Sequence, residues 1–249
     1  MSGHSKWSTI KHKKGKLDAK KAKVFTKIGR EIMVAVKMGG SDPDGNSRLK
    51  MVIQKAKEAN MPNENLKRII LKASGEADNT QYEELSYEGY GVGGAAVIVD
   101  VLTDNRNRTA GEVRHAFDKY GGKMGETGCV SYMFEKKGVL QMECQEEDVD
   151  DYTMVAIEAG VEDVTYEDGV LILYTSVQNI DSVYAAMTQK GILVQSRELE
   201  KIPESSVLIE QLEQAKQLIS MMEMLEDNDD VQDTWSNFDF TEQIQAELE

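Results

Sequence analysis

Ten cations fall within the first thirty residues of the chain: Lys6, Lys11, Lys13, Lys14, Lys16, Lys20, Lys21, Lys23, Lys27 and Arg30. Trp7 and His12 are interleaved with them, and Asp18 is the only acid in that stretch. Cations at this density neutralise phosphates and release condensed counterions, while a flat indole stacks on an exposed base. The pattern points to nucleic acid as the partner. An anionic membrane surface and plain solubility are the alternatives. An interfacial segment wants several large apolar residues beside its cations, and the stretch before Leu17 has few beyond Trp7 and Ile10.

A second candidate lies at Asp104–Thr109, "DNRNRT", where a predicted strand hands over to a predicted helix. Arg106 and Arg108 suit a phosphate held beside open helix amides, and Asn105 and Asn107 suit bases or backbone. The competing reading pairs Arg106 or Arg108 with neighbouring acids and makes Asn107 or Thr109 a helix cap. The motif supports both readings. Gln54, Lys55 and Lys57 are further candidates as base readers if the second helix enters a groove.

Other motifs carry less. Gly89, Gly91 and Gly94 in "GYGVGG" have the spacing of a dinucleotide loop, but a β-like run follows where a phosphate-binding helix must begin. A connecting turn is expected. His4, His12, His115, Cys129 and Cys144 lack finger or ribbon spacing, so no metal is expected. Cys129 reads as an inert, half-buried thiol. The acids of "EEDVDDY" and "LEDNDD" lack a calcium-loop pattern and read as solvated helix ends. No catalytic residue and no cofactor are expected, and the chain is not read as an enzyme.

These residues must be positioned by an α+β architecture. Asp18 suits a helix cap, with Phe25, Ile28, Ile32 and Ala35 at helical spacing until Gly39-Gly40. Leu49, Val52, Ile53, Ala56 and Ala59 mark a second helix, and Leu66, Ile69, Ile70 and Ala73 a third that ends at Gly75. The residues before the first helix read as an extended arm. Beyond "GEADNTQ", short strands and helices alternate: "EELSYE", "AAVIVDVL", a helix with Val113, Ala116, Phe117 and Tyr120 inward, then "CVSYMFE" as a strand.

From Lys136 to Glu200 the expected order is strand (139–142), helix (147–159), strand (163–166), strand (170–175), helix (180–190) and strand (192–197). That is a ferredoxin-like βαββαβ unit. A strand at 206–209, a helix carrying Leu212, Ala215, Leu218, Ile219 and Met222, and a strand at "VQDTWSNF" complete the α/β unit begun before it. The expected domains are 1–78, an arm with a three-helix bundle; 79–135 with 201–240, a discontinuous α/β domain; 136–200, inserted into it; and a tail, 241–249.

Charge follows the same division. Residues 1–75 hold 15 Lys and 3 Arg against six acids, a net +12, so the remainder carries −27 of the chain's formal −15. Such asymmetry predicts that the first segment meets a polyanion and the acidic remainder does not. Two cysteines in 249 residues argue against a disulfide framework and for a reducing compartment, the cytoplasm. No apolar run has the length of a membrane span.

Several long segments have a familiar wording: "GHSKWSTIKHKKGKLDAKKAKVFTK", "GGSDPDGNSRL", "AKEANMPNENL", "YEGYGVGGAAVIVDVLTDNRNRT" and "VSYMFEKKG". From Gly3 to Phe238 the chain closely resembles the YebC/PmpR family, whose members are named as probable transcriptional regulators and include a mitochondrial translational activator of cytochrome oxidase. Val92 stands where the family usually writes "GPGG", and "TEQIQAELE" runs past its common end. The resemblance implies a helical domain followed by two α/β domains, one inserted in the other, in a non-enzymatic cytoplasmic regulator. It implies DNA as partner in some members and the ribosome, through ribosomal RNA, in others that help translation through difficult stretches such as consecutive prolines. It brings no small-molecule substrate and no membrane, and leaves the oligomeric state open.

Overall fold

Three amphipathic helices come first in the computed structural model, which describes residues 21–75, 80–167 and 169–248. They are α1 (Lys21–Gly39), α2 (Ser47–Glu58) and α3 (Asn63–Ser74). The stripe Ile28, Ile32, Ala35 and Val36 of α1 is buried against Leu49, Val52 and Ala56 of α2 and Leu66 and Ala73 of α3. Asn46 organises the link between α1 and α2. Its side-chain oxygen accepts from Leu49 N at 3.0 Å and caps α2, while its amide donates to Ala35 O at 2.7 Å and Gly40 O at 2.8 Å. One buried side chain thus satisfies both the start of α2 and the end of α1. The predicted cap at Asp18 lies outside the described residues.

The chain divides into two compact units, one made of the residues through Met133 together with those from Ser205 onward, the other of Phe134–Glu204. In the first, a sheet of order β3-β1-β2-β9 joins β1 (Glu83–Tyr90), β2 (Ala96–Thr103), β3 (Lys123–Met124) and β9 (Val231–Ser236), with every neighbour antiparallel. Seven of the eight residues of β2, "AVIVDVLT", are buried, all but Asp100, as a mostly apolar run requires of a central strand. Helix α4 (Arg106–Lys119) and helix α7 (Leu212–Glu226) cover one face, where Val113, Phe117, Leu218 and Met221 pack on Val97, Val99 and Val101. Strands β8 (Val207–Ile209) and β10 (Phe238–Phe240) form a separate parallel pair, and α8 (Glu242–Leu248) follows. The glycine-rich "GYGVGG" ends β1 at Tyr90 and continues into the turn of the β1–β2 hairpin, with φ of 75° at Gly93 and 81° at Gly94. Glycine adopts such angles at no steric cost.

The second unit runs β4 (Phe134–Glu143), α5 (Val149–Glu158), β5 (Asp163–Glu167), β6 (Val170–Thr175), α6 (Ile180–Gln189) and β7 (Ser196–Pro203). Its strands are antiparallel in the order β5-β6-β4-β7. Leu140, Met142, Leu171 and Leu173 form the core with Ala156 of α5 and Val183 and Met187 of α6.

Three expected strands differ, and one of them, "VQDTWSNF", divides at Asn237 into β9, paired with β2, and β10, paired with β8. Residues 129–133 of "CVSYMFE" do not pair; Ser131–Met133 form a 3-10 turn and the strand begins at Phe134. The cause is Glu88. Its carboxylate, 3% exposed, accepts from Gly128 N at 2.9 Å, Val130 N at 2.8 Å and Ser131 N at 2.8 Å. Burial pushes this carboxyl up, but the three backbone donors outweigh it and hold it below its ordinary value. Amides bound to an internal carboxylate are withdrawn from any strand ladder. Likewise 192–195 stay outside β7, because Gly191, at φ 78°, and Ile192 turn back to bond Thr188 O and Met187 O and close α6.

Replacing Asn46 by Ala removes one cap and leaves two carbonyls without their donor. Urea denaturation is expected to report a loss of about 2–4 kcal/mol with an unchanged slope.

Candidate nucleic-acid interface

Helical spacing puts Lys23, Lys27 and Arg30 on one stripe of α1, at i, i+4 and i+7. All three meet the segment that leaves α7, Glu226 to Asp230. Lys23 Nζ lies 2.8 Å from Asp227 Oδ1 and 3.2 Å from Asp227 O. Lys27 Nζ donates to Glu226 O at 2.9 Å, and Arg30 Nη1 to Asp229 O at 2.5 Å. Carbonyls at a helix C-terminus have no partner within the helix and carry partial negative charge, so the cations of α1 serve as the cap of α7.

Asp230 sits at the centre. Its side chain is 3% exposed. Oδ1 accepts from Arg30 Nη1 at 2.6 Å; Oδ2 accepts from Arg108 Nη2 at 2.6 Å, Thr109 Oγ1 at 2.7 Å and Thr103 Oγ1 at 3.2 Å. Burial alone raises this carboxyl, yet the bonds from Arg108, Thr109 and Arg30 prevail and hold it below the ordinary aspartate value. The same pairing raises the Arg108 guanidinium further above its usual range.

The motif "DNRNRT" takes its form from this carboxylate. Asn105, rather than Asn107 or Thr109, caps α4, its side chain accepting from Arg108 N at 3.1 Å. Arg108 also meets Asp104 Oδ1 at 2.9 Å, one helical turn back. Arg106 is exposed, and its carbonyl accepts from Tyr87 Oη at 3.3 Å. The structure therefore joins Arg30 and Arg108 through Asp230, two residues 78 positions apart in the chain, and leaves Arg106 out of that group.

The remaining members of the predicted set separate. Lys6, Trp7, Lys11, His12, Lys13, Lys14, Lys16 and Lys20 lie outside the described residues, and Lys21 opens α1. On α2, Gln54 Nε2 donates to Glu58 Oε1 at 2.9 Å and Lys55 Nζ pairs with Glu31 Oε1 at 2.9 Å, while Lys57 is exposed. Arg48 pairs with Glu84, and Lys37 Nζ donates to Thr80 O at 2.5 Å.

Asp230 itself is the residue that sequence reasoning placed wrongly, since "LEDNDD" reads as a solvated helix end. Asp227 and Asp229 are exposed as expected, but Asp230 is buried. A signal was present: a basic stripe at i, i+4, i+7 and a compact acidic turn are complementary.

Among the described residues no group of three or more His, Cys, Asp or Glu is arranged to hold a metal ion, and no helix is long and apolar enough to cross a membrane. Both cysteines are free thiols, Cys129 half-buried and Cys144 buried. Burial, aided by Glu88 at Cys129 and Asp148 at Cys144, pushes both up and away from the nucleophilic thiolate.

Asp230→Asn is expected to cost about 2–4 kcal/mol, less than a fully buried pair because Arg108 is half-exposed. The folded carboxyl titrates below its unfolded value, so its contribution is complete above that value and fades as pH falls through the folded one. Chemical denaturation of wild type and variant at a series of pH values is expected to give a constant difference from about pH 5 to 7 that shrinks below about pH 4.

Residues 5–76 match the TACO1/YebC protein N-terminal domain, and residues 82–238 match the TACO1/YebC second and third domain. A probable transcriptional regulatory protein of Desulfitobacterium hafniense is 50% identical over 252 residues, covering 99% of each chain. A probable transcriptional regulatory protein of Acetivibrio thermocellus is 51% identical over 239 residues, covering 96% of this chain and 99% of the relative. The crystal structure of a conserved hypothetical protein from Aquifex aeolicus superposes with a TM-score of 0.85 at 44% identity, covering 96% of this chain and 98% of that one. With both stretches matched and relatives similar along their full lengths, the chain belongs to the YebC/TACO1 family.

Proposed function

We propose that the chain is a nucleic-acid-binding regulator of gene expression, a cytoplasmic, non-catalytic protein that binds DNA through its cationic N-terminal segment. The observation that carries this reading is charge segregation, +12 in residues 1–75 against −27 in the rest. The naming of its relatives as probable transcriptional regulatory proteins supports it. Lys6, Lys11, Lys13, Lys14, Lys16 and Lys20 neutralise successive phosphates, Trp7 and His12 stack on or bond to exposed bases, and Arg106 adds a cation at the start of α4. We read the organisation as three domains: the arm and bundle, a discontinuous α/β domain, and an inserted ferredoxin-like domain that matches the strand order β5-β6-β4-β7.

A second reading, a ribosome-associated translation factor on ribosomal RNA, is favoured by one observation. Gln54 and Lys55, the side chains best suited to reading base edges from α2, are bonded to Glu58 and Glu31. A protein that holds backbone and stacks bases without groove readout suits RNA with splayed bases at least as well as a promoter.

Fluorescence anisotropy across a salt series separates these readings from plain solubility. Wild type is expected to lose affinity linearly in log salt, and the full chain with its six arm lysines changed to Gln is expected to bind at least tenfold more weakly with a flatter slope, each lost phosphate contact removing about 0.9 from it on duplex DNA. A salt-independent affinity, or one that the substitutions do not alter, overturns the reading. Selective retention of one promoter fragment in excess competitor DNA favours transcription, whereas co-sedimentation with ribosomes reversed by salt favours translation.

A further inference from the structure

The contacts at the end of α7 fall into two layers of different strength. The inner layer is Asp230 with Arg30, Arg108 and Thr109, built on a carboxylate with 3% exposure. The outer layer is Lys23 with Asp227, whose side chains are 43% and 70% exposed. Breaking a buried pair by removing one partner is strongly destabilising, whereas an exposed pair contributes little and weakens with salt. A cleft of about 690 Å³ opens beside them, where the cations Lys23, Arg30 and Arg108 meet the acids Glu112, Asp227, Asp229 and Asp230.

We infer that this cleft is a masked phosphate-binding surface: Asp227 occupies Lys23 as an internal substitute for a phosphate, and a polynucleotide displaces it. The inference rests on the nucleic-acid reading above and adds a site and a gate to it. The exchange conserves charge pairing. Lys23 passes from a carboxylate to a phosphate oxygen, Asp227 turns to solvent, and counterions condensed on the polyanion are released. Lys27 and Arg30, next on the same stripe, continue the track toward Arg108. Asp230 does not leave, because its four donors bury it, so the elements carrying the stripe keep their places while the mask opens. A lone phosphate lacks the counterion release that drives the exchange, and the mask therefore favours a polynucleotide over small phosphates.

A double-mutant cycle on the full chain tests this. Wild type, Lys23→Gln, Asp227→Asn and the double variant are titrated by fluorescence anisotropy against a labelled mixed-sequence RNA and a labelled DNA duplex. Glu213→Gln, with the same charge change about 20 Å away at the other end of α7, is the control. Asp227→Asn is expected to bind roughly two- to fivefold more tightly than wild type and the control to change less. Lys23→Gln is expected to cost more affinity in the Asp227→Asn background than in wild type, since only there is the ammonium released from a carboxylate, keeping the backbone carbonyl of residue 227 as its acceptor. Equal effects of Lys23→Gln in both backgrounds, or an Asp227→Asn protein indistinguishable from the control, overturn the mask and leave the nucleic-acid reading standing. Wild type that binds neither probe overturns that reading and the mask with it.

Discussion

Asp230 gathers Arg30 from the first helix, Arg108 and Thr109 from α4 and Thr103 from the end of β2 onto one buried carboxylate. Each element has a reason of its own to form: an apolar stripe in α1, an asparagine cap on α4, a mostly apolar run in β2. None of those reasons sets how a helical bundle meets an α/β sheet. A buried anion with guanidinium donors from both does. The arrangement is strongly directional, because a carboxylate out of water is tolerable only while its donors stay in place.

The same economy explains why cations so close in sequence have different roles. Lys23, Lys27 and Arg30 continue the basic run of the arm, but the helix turns them onto the carbonyls and carboxylates that close α7. Charge that looks uniform along the sequence is divided by geometry: Lys23, Lys27 and Arg30 hold the fold, and the proposed function assigns the earlier lysines to a partner. Within the proposed function this division matters. A nucleic acid gripped by the arm approaches a surface whose first cation is held weakly and whose last is held firmly, so the scaffold survives contact with a strong polyanion.

Much of the fold was legible because it rests on local periodicity. The three helices of the bundle, the βαββαβ order and the apolar strand at Ala96–Thr103 follow from spacing alone. The failures have long-range causes. The segment 129–133 looks like a strand until Glu88, some 40 residues earlier, claims its amides. One of the two readings of "DNRNRT" caps α4 with Asn107 or Thr109, because the motif hides which Asn starts the helix; Asn105 caps it, and Thr109 turns its hydroxyl to Asp230. Of the candidate site, the residue types were legible and their pairing was not. Arg108 and Arg30 meet across 78 positions on an acid 122 residues beyond the later of them, a relation that no local pattern encodes.

The most direct test of this account is a carbon-13 NMR titration of the Asp230 side-chain carboxyl in the intact chain. The structure requires a midpoint below the ordinary aspartate value of about 3.9, with the Thr109 and Arg108 side-chain resonances moving at that same pH. A midpoint at or above the ordinary value, or arginine resonances indifferent to it, would contradict the claim that one buried anion holds the first helix and α4 together.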